Sequence, residues 1–81
     1  MKPSSHTEPV MKYDASRLLK EGKNPLAELT VALRSVKAGE TVLLESDFLP
    51  QPLIDTFQKQ GFHVQTETQD DKYCIYITKQ R

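Results

Sequence analysis

The chain has no tryptophan, a single cysteine and only three glycines, and neither sign of charge is in excess. Each shortage excludes something. With Cys74 alone no intrachain disulfide forms, and a reducing compartment is the natural setting. Eleven basic and eleven acidic side chains cancel to a net charge of zero, with a sequence pI of about 6.7. The basic surplus typical of nucleic-acid binders is therefore absent, which weighs against RNA or DNA as partner. No apolar run approaches the roughly 18 residues that span a bilayer. The start, MKPSSHTEP, lacks the apolar centre of a secretory signal. The expectation is a cytoplasmic protein with no membrane association.

Eighty-one residues make one domain. At this size only about 60–65% of the unfolded surface is buried, so stability is modest. Residues 1–9, polar with two prolines and two serines, read as a disordered lead-in to a domain spanning 10–81.

What is present organises around Asn24 to Thr41, NPLAELTVALRSVKAGET. Asn24 suits an N-cap, and Pro25 suits the first helical position, where no backbone N–H is needed. Leu26, Leu29, Leu33 and Val36 then recur at helical spacing as one apolar stripe. Lys37 would face the carbonyl end of the helix, and Gly39 would take the left-handed position that ends it. Ahead of this helix, Val10 to Asp14 reads as a first strand. Ala15 to Lys23 reads as a connecting loop anchored by Leu18 and Leu19. A second strand follows at Glu40–Glu45, then a breaker-rich turn from Ser46 to Pro52. A second helix presents Leu53, Ile54 and Phe57 inward and closes at Gly61.

Phe62, Val64, Thr66 and Thr68 alternate with His63, Gln65 and Glu67, predicting a third strand with one covered face. A polar turn, Gln69 to Lys72, leads into a fourth strand, Tyr73 to Thr78. There Tyr73, Ile75 and Ile77 share one face, and Cys74, Tyr76 and Thr78 the other. The predicted fold is α+β, a two-layer βαβαββ sandwich. Its four-stranded sheet is mixed, with the first two strands parallel, the last two an antiparallel hairpin and both helices on one face. The uncovered face would present Cys74 and Tyr76, with Leu43 alongside.

Several short motifs stand at fixed places in this order: Tyr13-Asp14-Ala15 closing the first strand, Asn24-Pro25-Leu26 opening the first helix, and Ala38-Gly39-Glu40-Thr41 leading into the second strand. Ser46-Asp47-Phe48 follows that strand, and Gln60-Gly61-Phe62 follows the second helix. On these, from about Met11 to Lys79, the chain resembles the TusA/SirA-like family of small sulfur-carrier domains. It is closer still to a related group of uncharacterised domains in the same clan. The resemblance implies the βαβαββ fold and a working site at the start of the first helix. There the sulfur carriers place a Cys-Pro-x-Pro motif, and a helix N-terminus favours a thiolate or persulfide anion. The second proline of that motif falls on Pro25, so the position of the cysteine is held by Gly22. Glycine carries no sulfur, and persulfide relay is excluded at that position. Cys74, in Tyr-Cys-Ile-Tyr on a strand, has no neighbouring base and reads as a structural residue.

Asp14 and Asp47 follow two strands expected to be parallel, which puts both at the sheet edge where open sheets bind ligands. The candidate binding site at that edge comprises Asp14, Arg17, Gly22, Lys23, Asn24, Pro25, Asp47 and Phe48. Against it stands the ordinary use of aspartate as a turn or capping residue. No nucleophile or base accompanies the carboxylates, so no catalysis is expected. No cofactor is expected, and His6, His63 and Cys74 do not have metal-ligand spacing. A basic surface from Arg17, Lys20, Lys23, Arg34 and Lys37, of the kind a tRNA-thiolation factor would use, is diluted by Glu21 and Glu28. The function expected is a non-catalytic binding or regulatory module meeting a protein or small ligand, as a monomer or weak dimer. The alternative is an accessory docking role in sulfur transfer or tRNA thiolation.

Overall fold

The structure, a computed structural model, describes residues 8–80. Strand β1 (Pro9–Asp14) leads into a short helix α1 (Ala15–Lys20), then helix α2 (Pro25–Ser35), β2 (Thr41–Ser46), helix α3 (Gln51–Lys59), β3 (His63–Gln69) and β4 (Lys72–Thr78). The sheet order is β1-β2-β4-β3, with β1 parallel to β2 and β4 antiparallel to both of its neighbours. The carboxyl ends of β1, β2 and β3 therefore share one edge. The α+β sandwich read from the sequence is the observed one. The strand predicted from Val10 starts at Pro9, paired with Thr41. The rest of the expected lead-in, up to Thr7 and including His6, lies outside the described residues.

One face of the sheet carries the core. Val42 and Leu44 of β2 and Ile75 and Ile77 of β4 are fully covered by Ala15 of α1, Leu29, Ala32 and Leu33 of α2, and Leu53, Ile54 and Phe57 of α3. All three helices thus lie on one side. Burying each large aliphatic or aromatic side chain is worth about 1.5–3 kcal/mol, so this single layer supplies most of the driving force. The stripe read on α2 is the buried one, with Leu26 partly covered at its start.

Four expectations need correction. The loop Ala15–Lys23 contains α1. Asp14 caps it, its Oδ1 accepting from the N–H of Ser16 at 3.0 Å and of Arg17 at 3.3 Å. Its end is closed by Gly22 at φ 76°, with Gly22 N–H donating to Leu19 O and Lys23 N–H to Leu18 O at 2.8 Å. The same closure ends α3, where Phe62 N–H reaches Phe57 O and the two rings meet edge to face at 5.6 Å.

Second, α2 stops at Ser35, and Gly39 is not its terminator. Val36 is extended, and Gly39 sits in the following turn with its N–H on Lys79 O at 2.7 Å. The cation at the carbonyl end is Lys79, whose Nζ donates to Val36 O at 2.9 Å, while Lys37 uses its N–H on Glu40 Oε1. Third, β3 is covered only at its start, by Phe62 and Val64, with Thr66 and Thr68 exposed, because it forms an edge of the sheet. Fourth, Leu43 and Cys74 lie on the second sheet face as expected but are covered rather than presented to solvent. They are only 5% and 4% exposed, under a face that also carries Lys12, Glu45, Gln65 and Glu67.

Candidate functional site

The eight residues read from the sequence gather at the carboxyl edge, but the structure divides them into different jobs. Asp14 is committed to the first turn of α1. Asp47 is committed to the same turn from the other side, its Oδ2 accepting from Ser16 Oγ at 2.9 Å and its Oδ1 lying 4.0 Å from Lys72 Nζ. Ser16 is the hinge of this arrangement, bonded to Asp14 through its amide and to Asp47 through its hydroxyl. Both aspartates thus hold α1 against the ends of β1 and β2. Gly22 shapes the exit from α1, and Lys23 pairs loosely with Glu21 at 3.6 Å. Asn24 caps α2 by accepting from Leu26 N–H at 2.9 Å, with Pro25 as the next residue.

Between these parts lies an apolar pocket of about 280 Å³. Its floor is Leu44, Ala15 and Leu53. Its walls come from the N-terminal turns of α2 (Asn24, Pro25, Leu26) and α3 (Pro50, Pro52, Leu53), and Leu19 of α1 and Phe48 stand at the rim. The rim is where apolar surface reaches solvent: Leu19 is 52% exposed and Phe48 49%, with Leu49 next to it also exposed. Phe48 is held there because the buried Ser46 hydroxyl accepts from Phe48 N–H at 3.2 Å, fixing the turn that turns the ring outward. Three of the residues read from the sequence (Asn24, Pro25 and Phe48) line this pocket. Leu19, Pro50 and Pro52 were missed as site residues. The signal for Leu19 was a doublet, Leu18-Leu19, in a six-residue helix whose inward face has room for only one of the two.

A second, polar cleft of about 410 Å³ opens on the outer side of β1, lined by Lys12, Tyr13, Asp14, Arg17, Leu18, Glu21 and Glu45. Asp14 and Arg17 belong to this cleft, and Gly22, Lys23 and Asp47 line neither cavity.

Cys74 lies on the opposite face of the sheet, between Glu45 of β2 and Glu67 of β3 in register. Burial raises its thiol pKa above the ordinary 9.0, and the two flanking carboxylates push it in the same direction. Tyr76, two residues on, is raised above 10.0 first by burial and then by its charged neighbours. A thiol so placed is a poor nucleophile at neutral pH. Among the described residues no group of three or more His, Cys, Asp or Glu side chains converges as a metal-holding cluster. No helix among them is long and apolar enough to cross a membrane.

Residues 12–79 match the family of uncharacterized conserved proteins designated DUF2249. The chain belongs to the DUF2249 family. The match takes in the second half of β1 and every element after it, so the lining of both cavities and Cys74 fall within the DUF2249 domain. No curated protein matches the chain.

Proposed function

We propose that this DUF2249 domain is a non-catalytic docking module that receives an apolar anchor side chain of a protein partner in the pocket between α1, α2 and α3. The observation that carries this reading is the pocket and its rim taken together. At about 280 Å³ the pocket falls just below the usual range of small-molecule sites, about 300–1,000 Å³. Its apolar surface also continues outward over Leu19, Phe48 and Leu49. An enclosed small molecule leaves that rim wet, whereas a protein partner with one inserted side chain covers both. Rigid supports surround the pocket: the start of α2, capped by Asn24, and a turn pinned by Ser46 and Asp47.

The non-catalytic part of the reading draws support from the two aspartates. Both are engaged in holding α1, and the hydroxyl nearest to them, Ser16, donates to a carboxylate with no imidazole beside it. The resemblance to TusA/SirA-like carriers supports the location, since their motif stands at the start of the corresponding helix. It does not carry over the chemistry, because Gly22 replaces the cysteine and the Cys74 thiol is buried on the other face. An accessory place in sulfur transfer or tRNA thiolation therefore rests on the identity of the partner alone.

The test is capture by the tagged domain, with Leu19→Asp and Phe48→Asp as pocket variants and Val31→Asp as control. Val31 is exposed on the outer face of α2 and lines neither cavity. A protein retained by wild type and Val31→Asp but lost by both pocket variants supports the reading. The reading also requires that partner's apolar residue to quench or shift the methyl signals of Leu19, Leu26 and Leu53. Equal retention by all four proteins refutes it. Recovery of a co-purifying small apolar molecule from wild type only would replace the protein partner with a ligand. Sulfur-relay proteins among the specific partners would select the accessory role.

A further inference from the structure

The polar cleft beside β1 carries uncommitted charge of both signs over an apolar floor. Of its lining groups, Arg17 and Glu21 are engaged with each other, Nε to Oε2 at 3.3 Å, and Glu21 also faces Lys23. Asp14 spends Oδ1 on the amides of Ser16 and Arg17. The side chains of Lys12 and Glu45, by contrast, make no hydrogen bond or ion pair with another described residue. They stand on adjacent parallel strands of the same sheet face, Lys12 in register with Leu43 and Glu45 with Asp14, so they are diagonal neighbours. Glu45 is partly covered, and the cation beside it on its own sheet face is Lys12. The floor is Leu18, buried, and Tyr13, packed against the core.

The geometry points to a binding site for a small zwitterion of the α-amino-acid class. In this site the ligand ammonium group lies against Glu45 and the free Oδ2 of Asp14, its carboxylate meets the Lys12 ammonium, and its side chain rests on Tyr13 and Leu18. The cleft, at about 410 Å³, has the size of a small-molecule site, and its mixed lining excludes a lipid or other purely apolar occupant. A lone anion would face three carboxylates, and a lone cation would leave Lys12 unpaired. A ligand carrying both charges close together answers both groups at once. This site is separate from the apolar pocket, since none of its lining residues is shared with it.

The experiment is an amide-detected NMR titration of the wild-type chain with each proteinogenic amino acid in turn, and with acetate and methylammonium as single-charge probes. The expected result is a saturable shift confined to Lys12–Arg17 and Glu45, with a Kd of about 1 mM or tighter for the best amino acid. Glu45→Gln and Lys12→Met, both at the surface and each checked by an unchanged amide spectrum elsewhere, should each weaken binding at least tenfold. Phe48→Asp should leave the titration unaltered, so failure of the docking reading and failure of this one are told apart. Absence of saturation with every amino acid overturns the inference. So does equal binding of acetate or methylammonium, or undiminished affinity in both variants.

Discussion

The outcome of replacing Gly22 by cysteine can be worked from the backbone. Gly22 stands at φ 76°, and a Cβ added there meets nothing within 4 Å, so the cost is conformational rather than steric. A non-glycine residue in the left-handed region costs about 1–2 kcal/mol, offset in part by the smaller entropy the cysteine chain loses on folding. The net destabilisation is about 1 kcal/mol, which in a domain of this size lowers Tm by about 4–8 °C. The new thiol should not be activated. The amides of Gly22 and Lys23 are taken by Leu19 and Leu18 carbonyls, Pro25 has no N–H, and the Leu26 N–H is taken by Asn24. Position 22 also lies at the carbonyl end of α1, where an anion is disfavoured. The assay is urea and thermal unfolding of Gly22→Cys, Gly22→Ala and Gly22→Asn in a Cys74→Ala background, with iodoacetamide rates across pH 6–10. Asparagine, which tolerates this conformation, should cost least. The reasoning is refuted if alanine and cysteine cost nothing measurable. It is refuted equally if the introduced thiol alkylates as fast at pH 6 as at pH 9.

Four further outcomes follow from particular contacts. Asp14→Ala removes the cap of α1 and should cost about 0.5–2 kcal/mol in urea unfolding, with Asp14→Ser recovering most of it. Lys79→Met withdraws the ammonium that reaches Val36 O and should cost about 0.5–1.5 kcal/mol, with amide exchange rising in the last turn of α2. In the turn between β3 and β4 both central residues, Asp70 and Asp71, have positive φ, so Asp71→Gly should raise stability by about 0.5–1 kcal/mol. The Cys74 thiol, raised in the native state, stays protonated when its unfolded counterpart ionises near 9.0; the unfolded chain then binds fewer protons, and stability should fall as pH rises above that value. Cys74→Ala should flatten that fall, leaving the part due to Tyr76, which begins near 10.0.

The parts of the fold that were legible in the sequence are those specified locally. Asn24-Pro25 and the leucine stripe of α2 carry their own start signal and period, and the alternation in Tyr73–Thr78 carries its own two faces. What misled were residues whose partners are distant. Gly39 looks like the end of α2 because it stands two residues after Lys37, yet the Val36 carbonyl there is satisfied by Lys79, more than forty residues on in the chain. The short helix α1 reads as a loop in the sequence because six residues are too few to show a period, although Asp14 and Gly22 bracket it with a start and a stop signal. For the candidate site, the sequence located the edge, and placed Asn24, Pro25 and Phe48 on it. It could not assemble the pocket, which takes residues from α1, α2, β2, the Ser46–Pro50 turn and α3.

The division of labour at that edge also bears on how a control for partner capture is chosen. Removing Asp14 and Asp47 together would unpin α1, moving Ala15 and Leu19 and so damaging the pocket indirectly. A loss of binding in that variant would say nothing about contact with the aspartates. Leu19 and Phe48 are the informative positions because about half of each already faces water, so a charge there leaves the core beneath them intact. An apolar partner must desolvate that charge to dock, at a cost of several kcal/mol in the complex and almost none in the free domain. A pocket variant that folds normally and still holds its partner would therefore move the interface away from the carboxyl edge. The polar cleft beside β1 would then be the place to look.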